Sequence, residues 1–148
     1  MMPDADNDKL VVRRRIPATR EEVFDAWTNP EGMREWMCPG NAVSADVRMD
    51  LRVGGSLLIV MRDPDNVYEH RGEFMIIERP AKLAFTWIAQ GTDFQPTLVT
   101  VEMFAAGEAE CDLVLTHEKF PGKEVRDRYR DGWGQITERL QQYLQTKR

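Results

Sequence analysis

Residues 123–148, KEVRDRYRDGWGQITERLQQYLQTKR, hold the pattern that decides the fold. Tyr129, Trp133, Ile136, Leu140, Tyr143 and Leu144 recur at the three- and four-residue intervals that put apolar side chains on one face of an α-helix. No proline interrupts the run, so the spacing predicts a helix of roughly 24 residues beginning at Lys123, about 36 Å long at the α-helical rise. Arg126, Arg128, Arg130, Glu138 and Arg139 fall on its outer face. A helix this amphipathic has to bury its stripe against another element.

The chain upstream supplies that element. Ala42 to Met49, Ser56 to Arg62, Tyr68 to Glu78, Lys82 to Ala89, Thr97 to Phe104 and Glu110 to Glu118 are rich in β-branched and aromatic residues and read as strands. Turn chemistry separates them: Gly54-Gly55, Asp63-Pro64-Asp65-Asn66, Arg79-Pro80, Gly91 and Gly107. Connections this short favour antiparallel hairpins, because a parallel pair needs a crossover of a dozen residues or more. An earlier strand runs from Lys9 to Ile16 and stops at Pro17. Thr19 and Glu22 then form the signature of a capping box, opening a helix whose apolar side is Val23, Phe24, Ala26 and Trp27. That helix ends at Asn29-Pro30, and a second short one covers Glu31 to Trp36, before the breakers Pro39 and Gly40. The expected architecture is α+β: a curved antiparallel sheet wrapped around the long C-terminal helix, with two short helices after the first strand and an apolar pocket between sheet and helix. One domain spans residues 1–148, of which 1–8 form a polar, flexible tail.

At 148 residues, 42% hydrophobic and 30% charged, the composition suits a globular chain and is too apolar for a disordered one. Acidic residues outnumber basic ones by 25 to 20, and the net charge of −5 argues against nucleic acid as a partner. The run Arg13, Arg14, Arg15 does not change this, because neighbouring side chains on a strand point to opposite faces. No stretch approaches the ~18 apolar residues of a membrane helix, and the acidic N-terminus is unlike a signal peptide. Membrane insertion is not expected, and a cytoplasmic location is. Cys38 and Cys111 lack a Cys-x-x-Cys spacing and read as reduced thiols.

Specific residues add a resemblance. Ile16-Pro17-Ala18 with Val23-Phe24-Asp25-Ala26-Trp27, then Trp36, Val53-Gly54-Gly55, Gly72-Glu73-Phe74, Leu83-Ala84-Phe85-Thr86-Trp87, Leu113 to His117 and Gly132-Trp133 resemble the START-like (SRPBCC) helix-grip superfamily. Within it the chain is most similar to the family named for homologues of the activator of heat-shock-protein ATPase. The resemblance runs from Leu10 to Leu144 and rests on the order and spacing of these motifs, none of which is diagnostic alone. It implies a sheet gripping the last helix. It also implies that most relatives either bind apolar small molecules or have no characterised activity, that some are cyclases or other enzymes, and that only a few are co-chaperones.

Strand alternation selects candidate site residues. Cys111, Leu113, Leu115 and His117 share one face; Leu83, Phe85 and Trp87 another; Gly72, Phe74 and Ile76 a third. Trp36, Phe74, Phe85, Trp87, His117, Tyr129 and Trp133 are the expected ligand-binding residues, a few polar groups in an apolar wall. Trp133 stands between Gly132 and Gly134, and each glycine costs a helix about 1 kcal/mol relative to alanine. Close approach of another backbone, or room for a ligand beside the indole, would offset that cost. His70 reads as structural or surface, and Glu69, Glu73, Glu102 and Glu118 as exposed strand carboxylates. No Ser-His-Asp or Cys-His arrangement and no phosphate loop is present, so no catalytic residue and no cofactor is assigned.

The leading expectation is a module that binds a small hydrophobic or amphipathic molecule. The alternatives are a polyketide-cyclase-type enzyme using His117 or a buried carboxylate as general acid or base, and a co-chaperone, ranked last because no added segment serves a large partner. Nothing in the sequence decides for or against a homodimer. Neither His70 nor His117 has a second ligand at metal-binding spacing. Elemental analysis of the purified protein should therefore find no stoichiometric zinc, iron or copper; one equivalent, lost on His117→Ala, would overturn this expectation.

Overall fold

The computed structural model describes residues 9–38 and 44–147. The expected tail (residues 1–8), the breakers Pro39 and Gly40, and Ala42 at the expected start of the second strand lie outside them. In chain order come β1 (Lys9–Ile16), α1 (Arg20–Trp27), α2 (Pro30–Trp36), β2 (Ser44–Met49), β3 (Ser56–Arg62), β4 (Val67–Glu78), β5 (Lys82–Ala89), β6 (Thr97–Ala105), β7 (Cys111–Glu118) and α3 (Lys123–Thr146). Among the described residues the strands form one open, curved antiparallel sheet in the order β1-β7-β6-β5-β4-β3-β2. The first strand thus closes onto the last, while the rest form a meander.

Local chemistry sets the element ends. The Thr19 side chain accepts from the Glu22 amide at 3.2 Å, and the Glu22 carboxylate accepts from the Thr19 amide at 3.0 Å, so the capping box is complete. Asn29 caps α2 in front of Pro30, whose missing N–H costs nothing at a first helical position. The arginine run follows the pleat. Arg14 reaches α3, donating to Thr137 Oγ1 at 3.3 Å and Gln141 Oε1 at 3.1 Å, while Arg15 turns outward to pair with Asp112.

Helix α3 lies with Trp133, Ile136, Thr137, Leu140 and Leu144 buried against the concave face of the sheet. Its outer face is less uniform than the sequence suggests: Arg139 folds back and donates to the Cys38 carbonyl beyond the end of α2. The interior between α3 and the sheet is filled. Trp27, Trp36, Trp87, Trp133, Phe74 and Phe85 are all at most 2% exposed.

Strand β4 departs from regular pairing twice. Its ladder with β5 runs through His70–Ala89 and Arg71–Ile88, then resumes at Phe74–Phe85. In the gap, a Cβ on Gly72 would stand 2.0 Å from the Thr86 carbonyl, and the Glu73 amide bonds Thr86 Oγ1 at 2.9 Å instead of a ladder carbonyl. One residue on, a bulge shifts the register between Phe74 and Ile76. This corrects the sequence reading of that face. Ile77, paired with the buried Leu83, packs on the core beside Phe74, and Ile76 turns to the outer face.

Leu140 has no exposed surface and sits mid-stripe. Leu140→Ala should cost about 2–5 kcal/mol, because the cavity it leaves cannot collapse between a helix and a sheet. An equilibrium urea titration checks this; a loss below about 0.5 kcal/mol would mean that the stripe carries little of the fold.

Candidate functional site

A cleft of about 440 Å³ opens where α3 leaves the sheet. Antiparallel connectivity brings three connections to this end: the β3–β4 turn, the segment after β5 and the β7–α3 link. Trp87, Trp133, Met61, Ala89 and Ile136 form the apolar floor, and His70, Tyr68 and Glu69 of β4 make one wall. Arg128, Tyr129 and Gly132 of α3 face them, with Gln90 and Gly91 at the lip. The floor indoles are 2% and 1% exposed, so a guest meets only a small part of either.

A directed chain of hydrogen bonds holds this floor. Trp133 Nε1 donates to His117 Nδ1 at 2.9 Å. An indole N–H can only donate, so His117 carries its proton on Nε2, which donates to Thr97 Oγ1 at 2.8 Å. Thr97 passes its own proton to the Trp87 carbonyl at 2.6 Å. The Trp87 indole then donates to Tyr129 Oη at 3.2 Å. His117 has no exposed surface, and burial pushes its pKa down to about 3. It is neutral, with both ring nitrogens engaged, and has no proton or lone pair to offer a substrate.

The expected site residues therefore separate. Trp87, Tyr129 and Trp133 line the cleft. His117 does not: it stands behind Tyr129 and Trp133, its ring 5.1 and 6.0 Å from theirs. Phe74 and Phe85 face each other one layer deeper along the strands, with ring centroids 6.2 Å apart. Trp36 packs edge-on to Trp27 at 4.9 Å, against the other end of the core. These four are core residues, because depth along a strand or helix, rather than the face alone, decides what reaches an opening.

His70 moves the other way. Read from the sequence as structural or surface, it lines the cleft, its ring 4.8 Å from Trp87. Its Nδ1 bonds the Ile59 carbonyl at 3.2 Å, and burial lowers its pKa. The signal was in the alternation: His70 is two residues before Gly72 and four before Phe74. Arg128, assigned to the outer helix face, stands at the cleft edge beside Tyr129. No carboxylate is buried among the described residues. Asp63 accepts from the Asp65 and Asn66 amides and the Tyr68 hydroxyl, which hold its carboxyl below the usual range, and Glu69 is paired with Arg71.

Both glycines around Trp133 have open space beside them: a Cβ at Gly132 or Gly134 would meet nothing within 4 Å outside the helix's own backbone. Close backbone approach is thus not their reason. At Gly132 the open space is the cleft itself.

Residues 17–145 match the family described as Activator of Hsp90 ATPase homolog 1-like protein. The chain belongs to that family. It lies within the START-like superfamily, and the sheet gripping α3 is the fold expected of it. A protein from Nitrosomonas europaea superposes with a TM-score of 0.82 at 23% identity, covering 98% of each chain. An HSP90 activator from Plasmodium falciparum superposes at 0.75 and 22% identity, over 93% of this chain and 96% of that one. A solution structure from Arthrobacter aurescens reaches 0.84 at 18% identity, over 98% and 90%. At these identities the likeness is one of fold. No curated protein matches the sequence. Among the described residues no helix is long and apolar enough to cross a membrane, and no group of three or more His, Cys, Asp or Glu side chains could hold a metal.

The His117 geometry sets a pH dependence. Its folded pKa lies below the unfolded value of about 6.5, so the unfolded chain binds more protons between pH 6.5 and 3. Stability should fall on acidification through that window, by up to about 1.4 kcal/mol per pH unit for one such histidine. His70 acts in the same direction. Urea titrations from pH 6.5 to 5, above the carboxylate range, isolate the effect. The His117 ring resonances should stay in their neutral positions throughout; a midpoint near 6.5 would contradict the buried network.

Proposed function

We propose that the protein binds a small hydrophobic or amphipathic molecule in the cleft between β4 and α3, with no chemistry of its own assigned. The observation that carries this reading is Gly132. A glycine inside a helix costs about 1 kcal/mol relative to alanine, and here nothing among the described residues outside the helix's own backbone occupies the space it leaves. The cost is offset if a guest uses that space. The cleft volume falls within the range of small-molecule sites, and its apolar floor with a few convergent polar groups has their usual make-up. The cyclase alternative loses its support from His117, whose nitrogens are both engaged, and from a buried carboxylate, since none is found among the described residues. The co-chaperone alternative rests on the family's name and on fold likeness to one activator.

Gly132→Leu tests the reading directly, because leucine favours the helix and its side chain would occupy the cleft. A fluorescent apolar dye such as anilinonaphthalene sulfonate should bind the wild-type chain saturably. The variant should melt at the same temperature or higher and bind at least about tenfold more weakly, a loss of about 1.4 kcal/mol. Equal dye binding by both proteins would move the site elsewhere, and no binding by the wild type would remove the proposal.

A further inference from the structure

If the cleft holds a small molecule, as proposed above, its unused polar groups define the chemistry of that molecule. His70 bonds the Ile59 carbonyl through Nδ1. A carbonyl only accepts, so Nδ1 carries the proton and Nε2 presents a lone pair, with no hydrogen-bond partner among the described residues. Burial disfavours a second proton on the ring, which leaves Nε2 an acceptor at neutral pH. Tyr129 is the reverse case. Its Oη accepts from Trp87, its own proton meets no acceptor among the described residues, and burial raises its pKa so that the proton stays.

Arg128, the neighbouring cleft residue, has no ion-pair partner among the described residues. The two carboxylates of the cleft have partners of their own: Asp63 accepts from two backbone amides and the Tyr68 hydroxyl, and Glu69 pairs with Arg71. Arg128 is thus a cation of the cleft that no carboxylate pairs among the described residues. The cleft asks for a donor opposite His70 and an anionic acceptor near Tyr129 and Arg128.

The placement of these groups limits the shape of the guest. His70 and Tyr129 both touch one indole, that of Trp87: the imidazole packs against its ring system at a tilt of 41°, and the hydroxyl meets its Nε1 edge. A molecule that satisfies both has to reach across that indole, carrying polar groups at two ends. The flat rings of Tyr68, His70 and Tyr129 along the walls favour a planar body. We infer that the cleft takes a flat, hydroxylated aromatic carboxylic acid, its hydroxyl donating to His70 Nε2 and its carboxylate accepting from Tyr129 and Arg128.

Calorimetric titration of the full chain with a matched set tests this: hydroxynaphthoate with its substituents on opposite rings, naphthoate, naphthol and dodecanoate. Removing either substituent should weaken binding about tenfold, the value of one well-made hydrogen bond to a charged or buried group. In His70→Leu the advantage of hydroxynaphthoate over naphthoate should vanish while naphthoate still binds. In Arg128→Gln its advantage over naphthol should vanish while naphthol still binds. Equal affinities for the three naphthalenes, or tighter binding of dodecanoate, would overturn the aromatic hydroxy acid. If the apolar dye binds and Gly132→Leu blocks it, while hydroxynaphthoate does not bind, this ligand class fails and the binding site stands. If neither dye nor hydroxynaphthoate binds, both fail together.

Discussion

The indole of Trp133 lies where helix, sheet and α1 meet, and its N–H must find an acceptor there without water. It packs 5.3 Å from Trp87 and 6.2 Å from Trp27, so any shift of α3 along the sheet would disturb three elements at once. His117 supplies the acceptor, and its other nitrogen continues through Thr97 to the backbone of β5. Every member of the chain has one possible proton direction, so the network fixes the imidazole tautomer as well as the position of the helix. Removing one partner would leave a buried polar atom unsatisfied, at about 1–3 kcal/mol.

Trp27 and Trp36 show the other way of holding an indole. Neither Nε1 has a hydrogen-bond partner among the described residues, although both rings are buried. An indole that buries about 150–250 Å² gains about 4–6 kcal/mol at 25 cal/mol per Å², which outweighs a cost of about 1–3 kcal/mol for the lost hydrogen bond. Packing alone therefore suffices at the closed end of the core. At the open end, beside the cleft, the aromatic groups are tied by hydrogen bonds as well. A binding surface needs that rigidity, because its floor receives no packing from the side that faces the guest.

The cleft exists because the sheet does not follow the helix for its whole length. The gap in the β4–β5 ladder at Gly72 and Glu73 falls between the half that carries Phe74, packed into the core, and the half that carries His70, which forms the cleft wall. Thr86 makes this possible because its hydroxyl oxygen accepts from the Glu73 amide, so a strand can bend without leaving a donor unpaired. Gly72 is required at the same place, since any side chain would strike the neighbouring backbone. The gripped core and the open cleft are thus two ends of one bent strand pair.

Periodicity in the sequence determined the elements and most of the core. The stripe from Tyr129 to Leu144, the capping box at Thr19 and Glu22, and the alternation that buries Cys111, Leu113, Leu115 and His117 are local consequences of helix and strand geometry. They needed no knowledge of what packs against them. Depth and partners could not be read this way. Alternation puts Phe85 and Trp87 on one face, but only the assembled sheet makes the first core and the second cleft floor. The bulge after Phe74 exchanged Ile76 for Ile77, because a single unpaired residue reverses the alternation beyond it. His117 and His70 exchange core and cleft positions for a different reason. A histidine's role depends on what its two nitrogens meet, and those partners come from residues distant in sequence: Thr97 and Trp133 for one, Ile59 and an open cleft for the other.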